Sequence, residues 1–229
     1  MGGRVTIMFV QDNDILENSD RGADSSDAPV MGPTPRDRYF LFGEMLIFGI
    51  ISLVASFVLS YDAVVLAADP DAILGCSINA MFDCAVVGRS WQASVLGFPN
   101  AFLGLISEPV VMTIAVLGLS KVRMPRWFMF TANIVYLLGV TFAYWLLWQS
   151  TVEIGALCPW CITVTVSTTF VFYSMTSWNI LEGNLFLSKS AQEKAYRFVR
   201  GGWLTIILIG WLALVVVAEV AAWVLPAFG

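Results

Sequence analysis

The chain has 229 residues, of which 58% are hydrophobic and only 13% charged. Soluble domains run at about 45–50% apolar and about 25% charged, so the composition excludes an ordinary water-soluble fold and points to the membrane. The net charge is −5, there is no histidine, and there are four cysteines. The acidity sits largely in front, no basic patch suits a nucleic acid, and the commonest metal ligand and neutral-pH base is missing.

Residues 1–38 are rich in Asp, Ser, Gly and Pro. Such a stretch buries too little apolar surface to offset its ordering entropy, so it reads as a disordered acidic tail. The remainder, 39–229, reads as one membrane domain. Five apolar segments lie at about 40–61, 97–119, 127–149, 155–178 and 202–225. Each is close to the roughly 20 residues that cross about 30 Å of hydrocarbon. The fold class is therefore an all-α integral membrane protein with five transmembrane helices. Trp91, Trp127, Trp148, Trp178, Trp203 and Trp223 stand near the segment ends, as interfacial anchors do.

Lysine and arginine set the sidedness. Arg36 and Arg38 precede the first segment, Lys121, Arg123 and Arg126 join the second and third, and Lys189, Lys194, Arg197 and Arg200 join the fourth and fifth. The loop at 62–96 carries only Arg89. By the positive-inside rule the N-terminus is cytoplasmic, the C-terminus exported, and loop 62–96 exported with it. Cys76, Cys84, Cys158 and Cys161 then share the oxidising face.

Cys158-Pro159-Trp160-Cys161 opens the fourth segment. Residues three apart meet on one helical face, so this pair can close a disulfide or bind a metal. Pro159 suits a first helical position, and the N–H groups of a helix N-terminus favour a thiolate at Cys158. Cys161 lies about 4.5 Å deeper, which makes Cys158 the sulfur reached from water and Cys161 the one toward the lipid phase. Cys76 and Cys84 would be about 12 Å apart along a continuous helix, whereas a disulfide needs Cα atoms within about 7 Å. Oxidised, that segment has to bend; reduced, 78–87 has more freedom to be helical. A permanent loop staple is the alternative. Glu108 stands mid-segment before Pro109 and reads either as a proton-relay candidate or as a carboxyl hydrogen-bonded to a neighbouring helix. Glu219 reads as a helix-packing or near-surface group.

Cys76 and Cys84, Ser90 six residues on, Gly97-Phe98-Pro99-Asn100 opening the next segment, and Cys158-Pro159-Trp160-Cys161 together resemble the vitamin K epoxide reductase family. They are most similar to its bacterial, DsbB-like members that support disulfide formation. The resemblance covers about 40–178, and the fifth segment is similar to an extra helix of bacterial members. It implies a four-helix bundle around a quinone, plus one peripheral helix, capped by a short helix from the first loop. It further implies Cys76 and Cys84 as a shuttle pair and Cys158 with Cys161 as the active pair. Asn100, Ser90, Phe98 and Thr165 would be the quinone-side residues, Thr165 standing where vertebrate relatives carry a tyrosine.

The expected activity is a thiol:quinone oxidoreductase of the bacterial cytoplasmic membrane, using menaquinone or ubiquinone and no metal. The chain stops soon after the fifth segment, so the expected partner is a separate exported DsbA-like thioredoxin-fold protein. Two other readings stand beside it: quinone or quinone-epoxide reduction as the physiological end, and a cysteine-stapled or zinc-bound membrane scaffold.

Overall fold

The computed structural model describes residues 32–79 and 81–224, the side chain of residue 224 excepted. The acidic stretch falls mainly on residues 1–31 and lies outside them. Its last residues are ordered helix, which corrects the boundary at 38. Thr34 caps helix α1 (Pro35–Ala68) in a reciprocal capping box with Asp37, and Pro35 takes the first turn. Two backbone donors are satisfied at once this way, so the helix starts ahead of the apolar run.

Seven α-helices make up the described chain. After α1 come α2 (Cys84–Arg89), α3 (Ala101–Leu119), α4 (Arg126–Trp148), α5 (Pro159–Glu182), α6 (Lys189–Arg200) and α7 (Trp203–Val224). A short 3-10 turn (Trp91–Ser94) follows α2, and a π-helical turn (Gln149–Ile154) extends α4. No strand forms among the described residues; the single β-bridge pairs Phe82 with Leu157.

Helix α1 has 34 residues, about 51 Å of helix at 1.5 Å per residue. It overruns the expected 40–61 segment and carries the chain to Asp69, where the backbone N–H closes the last turn on Val65. Its buried face alternates bulky Phe42 and Met45 with small Gly49, Ser52, Ser56 and Ser60. Helix α3 answers with glycines. A Cβ on Gly104 would fall within 2.0 Å of Ser56 Oγ, and one on Gly118 within 2.5 Å of the Phe42 ring. Close approach through small residues is how helices gain packing where lipid is as apolar as they are.

Four helices, α1, α3, α4 with its π extension, and α7, are long and apolar enough to cross a membrane. The expected segment at 155–178 is helical from Pro159 onward as α5 (residues 155–158 lead into it), but it is not apolar enough to count by composition alone. It carries eight Ser and Thr residues. Thr163, Thr165, Thr168 and Thr169 donate their hydroxyls to carbonyls one turn back, so the polar groups are spent inside the helix. Helix α5 packs against both α1 and α4, and its face is covered by protein. A buried helix has no need of a lipid-compatible surface.

Helices α1, α3, α4 and α5 form the bundle, with a core of Phe42, Met45, Val111, Ile114, Tyr136, Val171, Met175 and Trp178. Helix α7 stands outside it, with 6% of its apolar window buried against 39% for α1. It is tethered by Tyr173–Thr205, by Trp211 against Tyr144, and by Thr151 donating to Glu219 at 2.8 Å. Glu219 is thus a packing group. At the Thr34 end, Arg38 lies 4.7 Å over Trp178 and donates to Gly118 O, while Arg200 pairs with Asp37 at 2.8 Å.

Candidate functional site

The four cysteines meet at the far end of α1. Gly155, left-handed at φ 68°, ends the π turn, and Ala156-Leu157 then runs extended alongside the loop. Leu157 N–H donates to Met81 O at 2.7 Å and Asp83 N–H to Leu157 O at 3.0 Å. This two-bond clamp lays the loop across the head of α5. Asp83 then turns the chain into α2: its carboxylate accepts from Ala85 N at 2.9 Å, from Val86 N at 3.3 Å and from the Ser77 hydroxyl. The Ser77 bond, with the backbone donors and Arg89 adding to it, holds this carboxyl below its ordinary value of 3.8.

Cys76 and Cys84 are joined in a disulfide with Cα atoms 5.7 Å apart, and the chain between them bends as an oxidised pair requires. Cys158 and Cys161 are free thiols. Cys84 Sγ lies 3.3 Å from Cys158 Sγ, inside the contact distance at which one sulfur can displace another. Cys158 caps α5, accepting from the Cys161 N–H at 3.4 Å, where helix N–H groups stabilise negative charge on sulfur.

Exposure reverses one expectation. Cys158 is 1% exposed, because Cys84, Leu74 and Ala85 cover it, while Cys161 and Cys76 are partly exposed. Cys158 is reached by the loop sulfur and not by water. Helix direction alone ordered the pair by depth; the clamp through Leu157 decides what stands above it.

The other expected residues spread over two levels. Ser90 closes α2, its hydroxyl spent on Val87 O, and Phe98 is 39% exposed. Asn100 precedes α3 and is buried. Its Nδ2 donates to Gln92 O at 2.6 Å, and its Oδ1 has no partner in the protein. Gln92 in turn donates to Gln149 of the π turn. Thr165 is buried one turn below Cys161 and gives its only hydrogen to Cys161 O. Glu108 is apart from this group, accepting from Ser52 at 2.9 Å and from Tyr136 at 3.0 Å. Of the two meanings open for it, this geometry is that of a carboxyl bonded to neighbouring helices. Among the described residues no cluster of three or more metal-ligating side chains occurs.

Sequence reasoning missed three participants. Asp83 was one acid in a polar loop until the fold showed it capping α2. Gln92 carried no motif, and its contact lies 57 positions away. Asp62, one residue past the expected end of the first segment, places Oδ2 3.7 Å from Cys76 Sγ.

Fold and site together define a multi-pass helical membrane protein with two cysteine pairs in sulfur contact, the arrangement of a thiol oxidoreductase. The model of the Vitamin K epoxide reductase family matches residues 44–176, and the chain belongs to that family of quinone-linked oxidoreductases. A search of curated proteins returned no match.

Proposed function

We propose that this protein oxidises an exported thioredoxin-fold dithiol protein and passes the electrons through Cys76–Cys84 and Cys158–Cys161 to a membrane quinone. The observation that carries the reading is the 3.3 Å approach of Cys84 to Cys158. In this scheme a partner thiolate attacks Cys76, the more accessible loop sulfur, and Cys84 leaves; the partner's second thiol then resolves the mixed disulfide, so that the partner departs oxidised and Cys76 is freed as a thiol. Exposed Ile73 and Ile78 flank Cys76 and offer the partner an apolar seat. Cys84 then attacks Cys158 of the oxidised active pair, forming a Cys84–Cys158 disulfide and releasing Cys161. Each exchange is an in-line displacement of one sulfur by another.

Asn100 fits the quinone side. Its orphaned Oδ1 can accept from a hydroquinone hydroxyl, and its amide keeps a second hydrogen for a carbonyl. Thr165 has only lone pairs left to offer. A bound menaquinone or ubiquinone would supply the two-electron acceptor for the active pair. The scheme counts α5 as a span beside the other four, making five, with the N-terminus cytoplasmic, the C-terminus exported and the cysteines on the exported face of a bacterial cytoplasmic membrane. The charge distribution supports that orientation. Glu108 remains the candidate for delivering protons within the bundle.

The test is Cys161→Ser. Without Cys161, Cys158 can react only with the loop disulfide, attacking Cys84 and displacing Cys76, and is expected to hold Cys84 in a mixed disulfide visible by non-reducing mass spectrometry. Absence of that species refutes the exchange order. Purified protein given reduced thioredoxin-fold partner should bleach quinone absorbance, and no bleaching refutes the quinone acceptor.

A further inference from the structure

The thiol exchange leaves a proton unassigned. Cys76 must be a thiolate when it attacks Cys84 to rebuild the loop disulfide, and the protein has no histidine to receive its proton. We infer that Asp62 is the general base of this step: its carboxylate takes the Cys76 proton as Cys76 displaces Cys158 from Cys84.

The structure holds the product of that reaction. Cys76–Cys84 is formed, Cys158 is free at 3.3 Å from Cys84, and Asp62 Oδ2 stands 3.7 Å from Cys76 Sγ. The Cys76–Cys84 bond forms and the Cys84–Cys158 bond breaks. The electron pair leaves on Cys158 as thiolate, and the proton goes to Asp62. One disulfide replaces another, so no outside oxidant or reductant enters the step.

Asp62 is placed for this and for nothing else visible. It is half-buried on the last turns of α1, and none of the ion pairs among the described residues involves it. The other titratable groups on this helix end and the elements around it are Tyr61, Asp69, Asp71, Asp83, Arg89, Glu153 and Cys161; Tyr61, Asp69 and Asp71 are exposed, and the Asp69 carboxylate accepts from Asp71 N at 3.0 Å. Asp83 is turned to Ser77, Arg89 donates to Ala72 O, and Glu153 is exposed. Asp62 is the carboxylate in contact with the loop disulfide.

The inference rests on the exchange reading above, and the experiment separates the two. Asp62→Asn and Asp62→Glu are compared with wild type in detergent, with dithiothreitol as dithiol and a soluble naphthoquinone as acceptor, between pH 5.5 and 9. General-base catalysis contributes about 100-fold or more. Asp62→Asn should therefore turn over about 100-fold slower at pH 7, recover tenfold per pH unit, and accumulate Cys84–Cys158 in acid-quenched samples. Asp62→Glu should keep the wild-type pH profile. A wild-type profile in Asp62→Asn, or a loss equal at every pH without the accumulated disulfide, overturns the role of Asp62. If Cys161→Ser also forms no Cys84–Cys158, the exchange reading falls and this inference with it.

Discussion

Replacing Asp83 by alanine should uncover Cys158. The carboxylate satisfies the first N–H groups of α2 and binds Ser77, so the substitution removes a helix cap and a side-chain bond together. A lost N-cap costs about 1 kcal/mol, and a hydrogen bond about 1 kcal/mol net. The docked loop would lose about 2 kcal/mol, which is about 30-fold in its closed population at 1.4 kcal/mol per decade. Cys158 is 1% exposed beneath that loop, so reagent reaches it only when the loop lifts. The assay is maleimide labelling of Cys158 at pH 7 with the Cys76–Cys84 disulfide intact, each product located by peptide mass. Labelling should accelerate about 30-fold. A rate within twofold of wild type would show that the Leu157 clamp holds the loop alone, and would refute the role given to Asp83.

Because the Asp83 carboxyl titrates below its ordinary value of 3.8, its contribution is complete above 3.8 and fades as pH falls through the lower folded value. Amide exchange at Leu157 and Asp83, corrected for intrinsic rates, should show extra opening only in that acid range. Protection unchanged down to pH 2 would contradict this. Gly118→Ala forces a methyl into the Phe42 ring and should cost about 1–3 kcal/mol, read as a lower Tm in detergent. An unchanged Tm would mean that α1 and α3 can separate freely. Glu108→Leu strands the Ser52 and Tyr136 hydroxyls and should destabilise by about 1–2 kcal/mol, whereas Glu108→Gln keeps an acceptor and should lose less than half as much. If Glu108→Gln also halts quinone reduction without a Tm change, the carboxyl moves protons; full turnover rejects the relay.

Much of the site was legible in one dimension. The cysteine spacings and Pro159 after Cys158 follow from local chemistry, and Pro159 does open its helix; Gly97-Phe98-Pro99-Asn100 stands out only through the family resemblance. Helix α5 shows where that legibility ends. Its helix was visible from pattern, but whether eight hydroxyl residues face lipid or protein depends on α1 and α4 lying against it. Glu108 shows the same limit. A mid-segment carboxyl stands out in the sequence, but that Ser52 and Tyr136, 56 and 28 residues away, bind it is visible only in the fold.

The sequence by itself determined a membrane-embedded helical chain with two cysteine pairs, because hydropathy, helix signals and cysteine spacing are all short-range properties. Only the tertiary structure decided that Cys84 rather than water covers Cys158, and that Asp62 meets Cys76. Those contacts join residues 74 and 14 positions apart. They depend on a two-bond clamp between Leu157 and residues 81–83, on the length of α1 beyond the apolar run, and on the cap at Asp83. Distances set by packing between elements have no local signature, and the chemistry of this site resides in them.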